Sequence, residues 1–192
     1  GRGRLYRPSS SSYSDLPRVK FGDAKMNNYS LYFNSESPLN RKQKIFFYSF
    51  GGVQFRNTDA NSWTYEADNE RNNKAIYPNG FEPRILSKIW DGTFSVGLKS
   101  KTNKAWNFDL NNTFGQNQMH YSVANTLNSS LGASSPLSFD AGGFGLMQNV
   151  TGINLTRKFR NGLKNTNVAL GSELRVENYY IFAGEEGSWK KY

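Results

Sequence analysis

Cysteine is absent from the chain, which rules out disulfide frameworks, thiol catalysis and Cys-ligated metal sites. Histidine occurs once, at His120, and a metal site or a catalytic triad built on it would need partners the sequence does not offer. Asp140, Glu185 and Glu186 lack the spacing of a calcium-binding EF-hand loop. Gly142, Gly143 and Gly145 lack the Lys-Ser/Thr that follows a phosphate-binding loop. No catalytic residue, no metal ligand and no cofactor are therefore expected, and an enzyme is the least expected class. No run of about 18 apolar residues exists, so a transmembrane helix is excluded. A membrane barrel is not, because its strands are weak in hydropathy. The chain opens on GRGRLYRP without an initiator Met or a signal peptide, the expected form of a mature product or a fragment.

What is present is uneven. Hydrophobic residues make up 36% and aromatics 15%, alongside 18 glycines; average soluble domains carry roughly 45–50% apolar residues, glycine included. Aromatic belts, an apolar residue at every second position and polar loops would give a β-barrel this mixture. The formal net charge is +9, which by itself favours nucleic acid or an anionic membrane surface. Its distribution is that of a solvated rim: Arg41, Lys42 and Lys44 gather at one turn, Lys99, Lys101 and Lys104 at a second, Arg157, Lys158, Arg160 and Lys164 at a third. No RNP, KH or zinc signature accompanies them, so nucleic acid is not expected as a partner.

The clearest segment is Asn165 to Ala183. Val168, Leu170, Ser172, Leu174, Val176, Asn178, Tyr180 and Phe182 fall on one face of a period-two pattern. The other face holds Asn167, Ala169, Gly171, Glu173, Arg175, Glu177, Tyr179 and Ile181. Extended, the segment spans roughly 60 Å, against ~17–20 Å for common strands. A transmembrane barrel strand that runs past the lipid surface has this length and this two-faced character. If alternate side chains meet hydrocarbon, they will find no cover within this chain.

Taken in order, residues 1–23 form a Ser-, Arg- and Pro-bearing loop or disordered segment, and strands follow at 24–34, 42–56, 83–100, 105–123, 144–157 and 165–183. Long outer loops at 57–82 and 125–143 alternate with short turns, as in outer-membrane barrels. In the strand at 42–56, Ile45, Phe46, Phe47, Tyr48 and Phe50 put aromatics on both faces. Its buried face stays open, though small Ser49 and Gly51 favour close packing on the odd-numbered side. In the strand at 144–157, Leu146 and Val150 oppose Ile153 and Leu155, and a bulge near Gly152 would reconcile them. The expected fold is an all-β antiparallel meander of about six long strands, part of a transmembrane β-barrel.

Four blocks, FGDAKMNNYSLYFN at 21–34, IYPNGF at 76–81, NTLNSSLGASSPLSFDAGG at 125–143 and ELRVENYYIFAGE at 173–185, resemble the barrel of TonB-dependent outer-membrane receptors of Bacteroidetes type. With the strands between them the likeness covers nearly the whole sequence. It implies a place in the outer membrane of a Gram-negative bacterium and import of a scarce solute (siderophore, cobalamin or oligosaccharide). It implies as partners the TonB complex acting through a plug, the remainder of the barrel, outer-membrane lipid and, in some systems, a surface lipoprotein. A full receptor barrel has roughly 22 strands and a plug; here there is no plug, no TonB-box segment and only about six strands, so an internal piece of the barrel is expected.

Two groups are candidate solute contacts. Trp63, Tyr65, Tyr77 and Trp189 fall in the outer loops, where rings stack on a sugar or siderophore, or pack the loops on one another. Glu173, Arg175 and Glu177 line one face of the last strand, as part of a solute path, an ion-pair ladder with neighbouring strands or a seat for the plug. Trp90, Phe94, Trp106 and Phe108 fit an interface belt, Trp106 at its inner edge. The alternative to transport is a soluble or surface β-sheet protein that binds carbohydrate through its loop aromatics.

Overall fold

The computed structural model describes residues 24–102, 106–159 and 166–192, together with the strand positions 5–6 and 19–20. The two short strands near the N-terminus, β1 (Leu5–Tyr6) and β2 (Val19–Lys20), pair antiparallel. They correct the expectation of loop throughout residues 1–23; the rest of that segment lies outside the described residues. Six long strands form a separate sheet: β3 (Lys25–Pro38), β4 (Ile45–Asn61), β5 (Arg84–Ser100), β6 (Asn107–Ala124), β7 (Ser138–Phe159) and β8 (Thr166–Phe182). Their order is β3-β4-β5-β6-β7-β8, each antiparallel to the next. The chain is thus all-β, an antiparallel meander of six long strands.

Strands run further toward the long loops than the sequence pattern indicates. Asn57–Asn61 belong to β4 and Ser138–Gly143 to β7, so the loops shrink to residues 62–83 and 125–137. The reason is pairing: Asn57 to Asn61 match Lys88 back to Arg84, and Ser138, Phe139 and Asp140 match Ala124, Val123 and Ser122. Backbone hydrogen bonding holds these polar residues extended without any apolar alternation. Asn161-Gly162, expected as a hairpin turn, lies outside the described residues.

The register assigns the faces, because directly paired residues point to the same side. The face of Leu174 carries the odd residues of β3, β4 and β7 and the even residues of β5, β6 and β8. Leu31, Phe33, Val53, Phe94, Val96, Leu98, Leu110, Phe114, Ile153, Leu155, Leu170 and Val176 share it. The even-numbered sides of β5, β6 and β8 therefore stand together. For β4 the odd side joins them, and what packs closely on Gly51 is the ring of Phe33 from β3. The opposite face carries Asn28, Tyr32, Gln54, Asp91, Asn117, Gln148, Glu173, Arg175 and Glu177.

No bulge occurs at Gly152. It pairs in register with Asn111 on one side and Glu173 on the other, so Leu146 and Val150 do face away from Ile153 and Leu155. Gly152 is small because the Asn111 amide occupies the space a side chain would take. The irregularity sits instead where Tyr121 and Ser122 face Gly142 and Asp140, skipping Ala141. Gly142 there adopts a φ of 74°, the left-handed region that glycine enters without penalty.

The sheet has no core of its own. Leu31, Leu170, Leu174, Val176 and Ile181 are 60% or more exposed, and among the described residues the buried hydrophobic ones are Ala67, Phe81 and Phe139, all at the long-loop end. Among the described residues, the leucines and valines of β8 meet no second layer.

Candidate functional site

A groove on the polar face and a cavity among the long loops offer room for a ligand. The groove, about 310 Å³, lies at mid-height beside Tyr32, Gln54, Asp91, Thr93, Asn117 and Gln148. It is open beside Gly115, where nothing lies within 4 Å of a Cβ, while the Tyr32 ring lies over Gly52. Its polar groups form cross-strand links: Gln54 donates to Asn28 at 2.8 Å and accepts from the Tyr32 hydroxyl at 3.3 Å. Asn117 donates to Asp91, and Gln148 to Glu177 at 2.6 Å.

Glu173, Arg175 and Glu177 stand on this face of β8. The Arg175 guanidinium lies 3.0 Å from Glu173 and 3.8 Å from Glu177. They form a ladder along one strand, and each is about half exposed. An exposed ladder of this kind contributes little stability, and it leaves carboxylate oxygens open to a further partner.

The loop cavity, about 860 Å³, gathers residues from both long loops and the C-terminal tail. Tyr65, Arg71, Phe81, Asn128, Phe139, Trp189, Lys190 and Lys191 border it. Loop 62–83 carries its own small core, in which Tyr65 and Tyr77 stack on Phe81 at 4.9 and 4.8 Å. Asn72 ties that loop internally by donating to the carbonyls of Ala67 and Tyr77. Gly80 closes the turn after Pro78-Asn79 with a φ of 85° and an amide bond to the Tyr77 carbonyl. Burial raises the Tyr77 hydroxyl above its usual pKa. Its oxygen reaches the Thr126 carbonyl of the second loop at 3.4 Å.

The second loop is organised by Asn128. Its side-chain oxygen caps a short 3₁₀ turn, Ser129–Ser134, by accepting from the Ser130 amide. Its NH₂ group donates to the carbonyls of Gly187 and Lys190 at 2.9 and 2.8 Å. The tail is thereby fixed across the loops, and Trp189 is held at the cavity edge.

The four loop aromatics separate by role. Tyr65 and Trp189 share the cavity, Tyr77 packs loop against loop, and Trp63 lies outside it with two-thirds of its surface exposed. Below the loops, His120 Nε2 lies 2.8 Å from Asp140 and its ring faces Phe182. The Gly142 amide and then His120 lower the Asp140 pKa. Among the described residues no group of three metal-ligating side chains comes together.

Sequence reasoning missed Asn128, Arg71 and the groove residues. The groove was accessible in principle, since the Tyr32, Gln54, Asp91 and Asn117 positions all follow from alternation once the register is known. Asn128 carries no such pattern. No family model, curated protein or solved structure matches the chain.

Proposed function

We propose that the chain is part of the β-barrel of an outer-membrane TonB-dependent transporter that imports a scarce solute. The observation that carries this reading is the banding of the Leu174 face. Tyr29, Phe55, Trp90 and Tyr180 lie at one height, joined in register through Gln118 and Gly145. Toward the short turns, Phe47, Trp106, Phe108 and Phe159 gather near the strand ends. Between them the face is largely apolar; beyond the upper row it turns polar, with Lys25, Asn27, Asn57, Asp59, Lys88 and His120. From Tyr180 to Leu170 is about ten residues, which at ~45° tilt suits the 9–11 residues of a membrane-crossing strand. Aromatic rows bounding an apolar band of about 25 Å are the pattern of outer-membrane barrels.

Three further points support it. The apolar face is uncovered among the described residues. Three polar side chains at the centre of the band satisfy one another: Asn112 and Asn149 exchange amide hydrogen bonds at 2.9 and 3.2 Å, and Asn112 also donates to Thr151, which lowers the cost of apolar surroundings. Both outer strands, β3 and β8, have one neighbour each; a closed barrel pairs such edges with further strands. In this reading the opposite face is the wet lumen, the groove and the Glu173–Arg175–Glu177 ladder line the path, and the loop cavity meets the solute first. The plug, the TonB complex and any surface lipoprotein act through the rest of the transporter.

The test is fractionation and uptake with the full-length protein. It should sediment with outer membranes, require detergent for extraction, and migrate faster on unheated than on heated gels. Its deletion should abolish uptake of one solute class in a TonB-dependent way. A protein that stays monomeric in plain buffer would overturn the transporter and leave the carbohydrate-binding sheet, whose loop rings Trp63 and Trp189 are already two-thirds exposed.

A further inference from the structure

The two ends of the sheet differ in charge. Among the described residues the short-turn end carries Arg41, Lys42, Lys44, Lys99, Lys101, Arg157 and Lys158 against Glu36 and Asp109. The loop end is balanced, with Asp59, Glu66, Asp68, Glu70, Glu82, Asp140, Glu185 and Glu186 against Lys25, Arg56, Arg71, Lys74, Arg84, Lys88, Lys190 and Lys191. The basic excess is thus a property of one rim.

On that rim the two faces are again unequal. Glu36 and Asp109 both stand on the polar face. There Glu36 takes Lys99 and Lys101, the latter at 2.7 Å, while Asp109 accepts from Tyr48 at 2.7 Å. The Leu174 face of this rim has, among the described residues, a cation and no anion. Arg157 places its guanidinium over the Phe159 ring, 4.8 Å from the centroid, and Trp106 meets Phe159 edge-on at 6.5 Å. Trp106 follows directly beyond the last β6–β7 pair, Asn107–Thr156, so indole and guanidinium flank each other. No carboxylate pairs with Arg157 among the described residues, and the segment 160–165 contains no Asp or Glu.

Resting on the membrane reading above, we propose that Arg157, Phe159 and Trp106 form a binding site for an anionic phospholipid headgroup, in the leaflet at the short-turn end. The guanidinium fork matches two phosphate oxygens. The two rings sit where aromatic side chains prefer the headgroup level, and Leu155 and Leu170 just above take the acyl chains. A zwitterionic lipid gains less here, because this face of the rim offers no acid for its ammonium group. Arg41, Lys42 and Lys44, exposed in the β3–β4 turn further along the same rim, raise the local concentration of anionic lipid there.

Native mass spectrometry of the full-length protein, extracted with equal phosphatidylglycerol and phosphatidylcholine, tests the site. The wild type should retain phosphatidylglycerol several-fold over phosphatidylcholine, and Arg157→Gln should bring the ratio close to parity. Lys88→Gln, on the same face at the opposite end, should leave it unchanged. If Arg157→Gln does not assemble, Arg157→Lys and the wild type at raised salt decide, and both should lose most of the preference. Parity in the wild type, or an equal loss in Lys88→Gln, overturns the site while leaving the membrane reading intact. A protein that takes up neither lipid and stays monodisperse without detergent overturns the membrane reading itself.

Discussion

Phe33 and Phe94 reach toward each other across Gly51, their ring centroids 6.1 Å apart. A Cβ at Gly51 would stand 2.5 Å from the Thr93 carbonyl oxygen and 3.1 Å from the Phe33 ring. The glycine is therefore what lets β3 and β5 share an aromatic contact over β4. Gly51→Val should destabilise the sheet by roughly 1–3 kcal/mol, the usual cost of overpacking. Gly115→Ala, where nothing lies within 4 Å of the added Cβ, should stay within about 0.5 kcal/mol. Urea midpoints of the folded protein in detergent, read from the gel shift, compare the two; equal losses would remove the close-packing argument.

Leu174 and Glu173 are adjacent in sequence and face opposite ways. Leu174 is 68% exposed in the middle of the apolar band, whereas Glu173 pairs with Arg175 on the polar face. Leu174→Arg should lower barrel stability by roughly 2–4 kcal/mol if that face meets hydrocarbon. Glu173→Gln should leave assembly near wild type and change solute uptake at most. Assembly assays on the full-length protein decide it, and equal damage from both would reverse the face assignment.

Much of the sheet was legible because its faces alternate. Tyr29, Leu31 and Phe33, or Trp90, Phe94, Val96 and Leu98, declare one side residue by residue. In β4 the reading fails since Phe46, Tyr48 and Phe50 are aromatic on the polar face too; Tyr48 bonds Asp109 there and Phe46 lies under Lys101. The sequence cannot show that an aromatic residue is engaged by a cation or an acid from another strand. For the same reason alternation reads the outer ends of β4 and β7 as loop, and Gly152 as a bulge: ladder hydrogen bonding and one Asn side chain, not hydropathy, fix them. Among the site residues, alternation puts Glu173, Arg175 and Glu177 on one face, but their pairing runs along β8 itself rather than to neighbouring strands. Tyr65 and Tyr77 could be assigned to loop packing only after Phe81 was placed between them.

Asn128 joins the tail to the loop. Asn128→Ala removes both donors to Gly187 and Lys190 and the cap on the turn at Ser129–Ser134. A lost cap alone costs typically ~1 kcal/mol. The expected result is faster hydrogen exchange and proteolysis across residues 183–192, with the strands unaffected. If solute meets the loop cavity first, affinity should fall alongside. Unchanged exchange in the tail would show that other contacts hold it.

Asp140 supplies a pH dependence outside the apolar band. Its carboxylate accepts from the Gly142 amide at 2.7 Å and lies 2.8 Å from His120, and its pKa in the folded protein is lowered, the amide contributing most. Over the interval between the lowered value and the ordinary carboxylate range, the unfolded chain binds more protons than the folded one, so stability rises with pH across it. The contribution is complete above the ordinary range and disappears as pH falls through the lowered value. Asp140→Asn should therefore be less stable than wild type near neutrality, with the two converging under acid. Thermal midpoints scanned downward from neutral pH measure the gap. A gap that stays constant to the acid limit would mean the carboxylate's charge contributes nothing at this bulge.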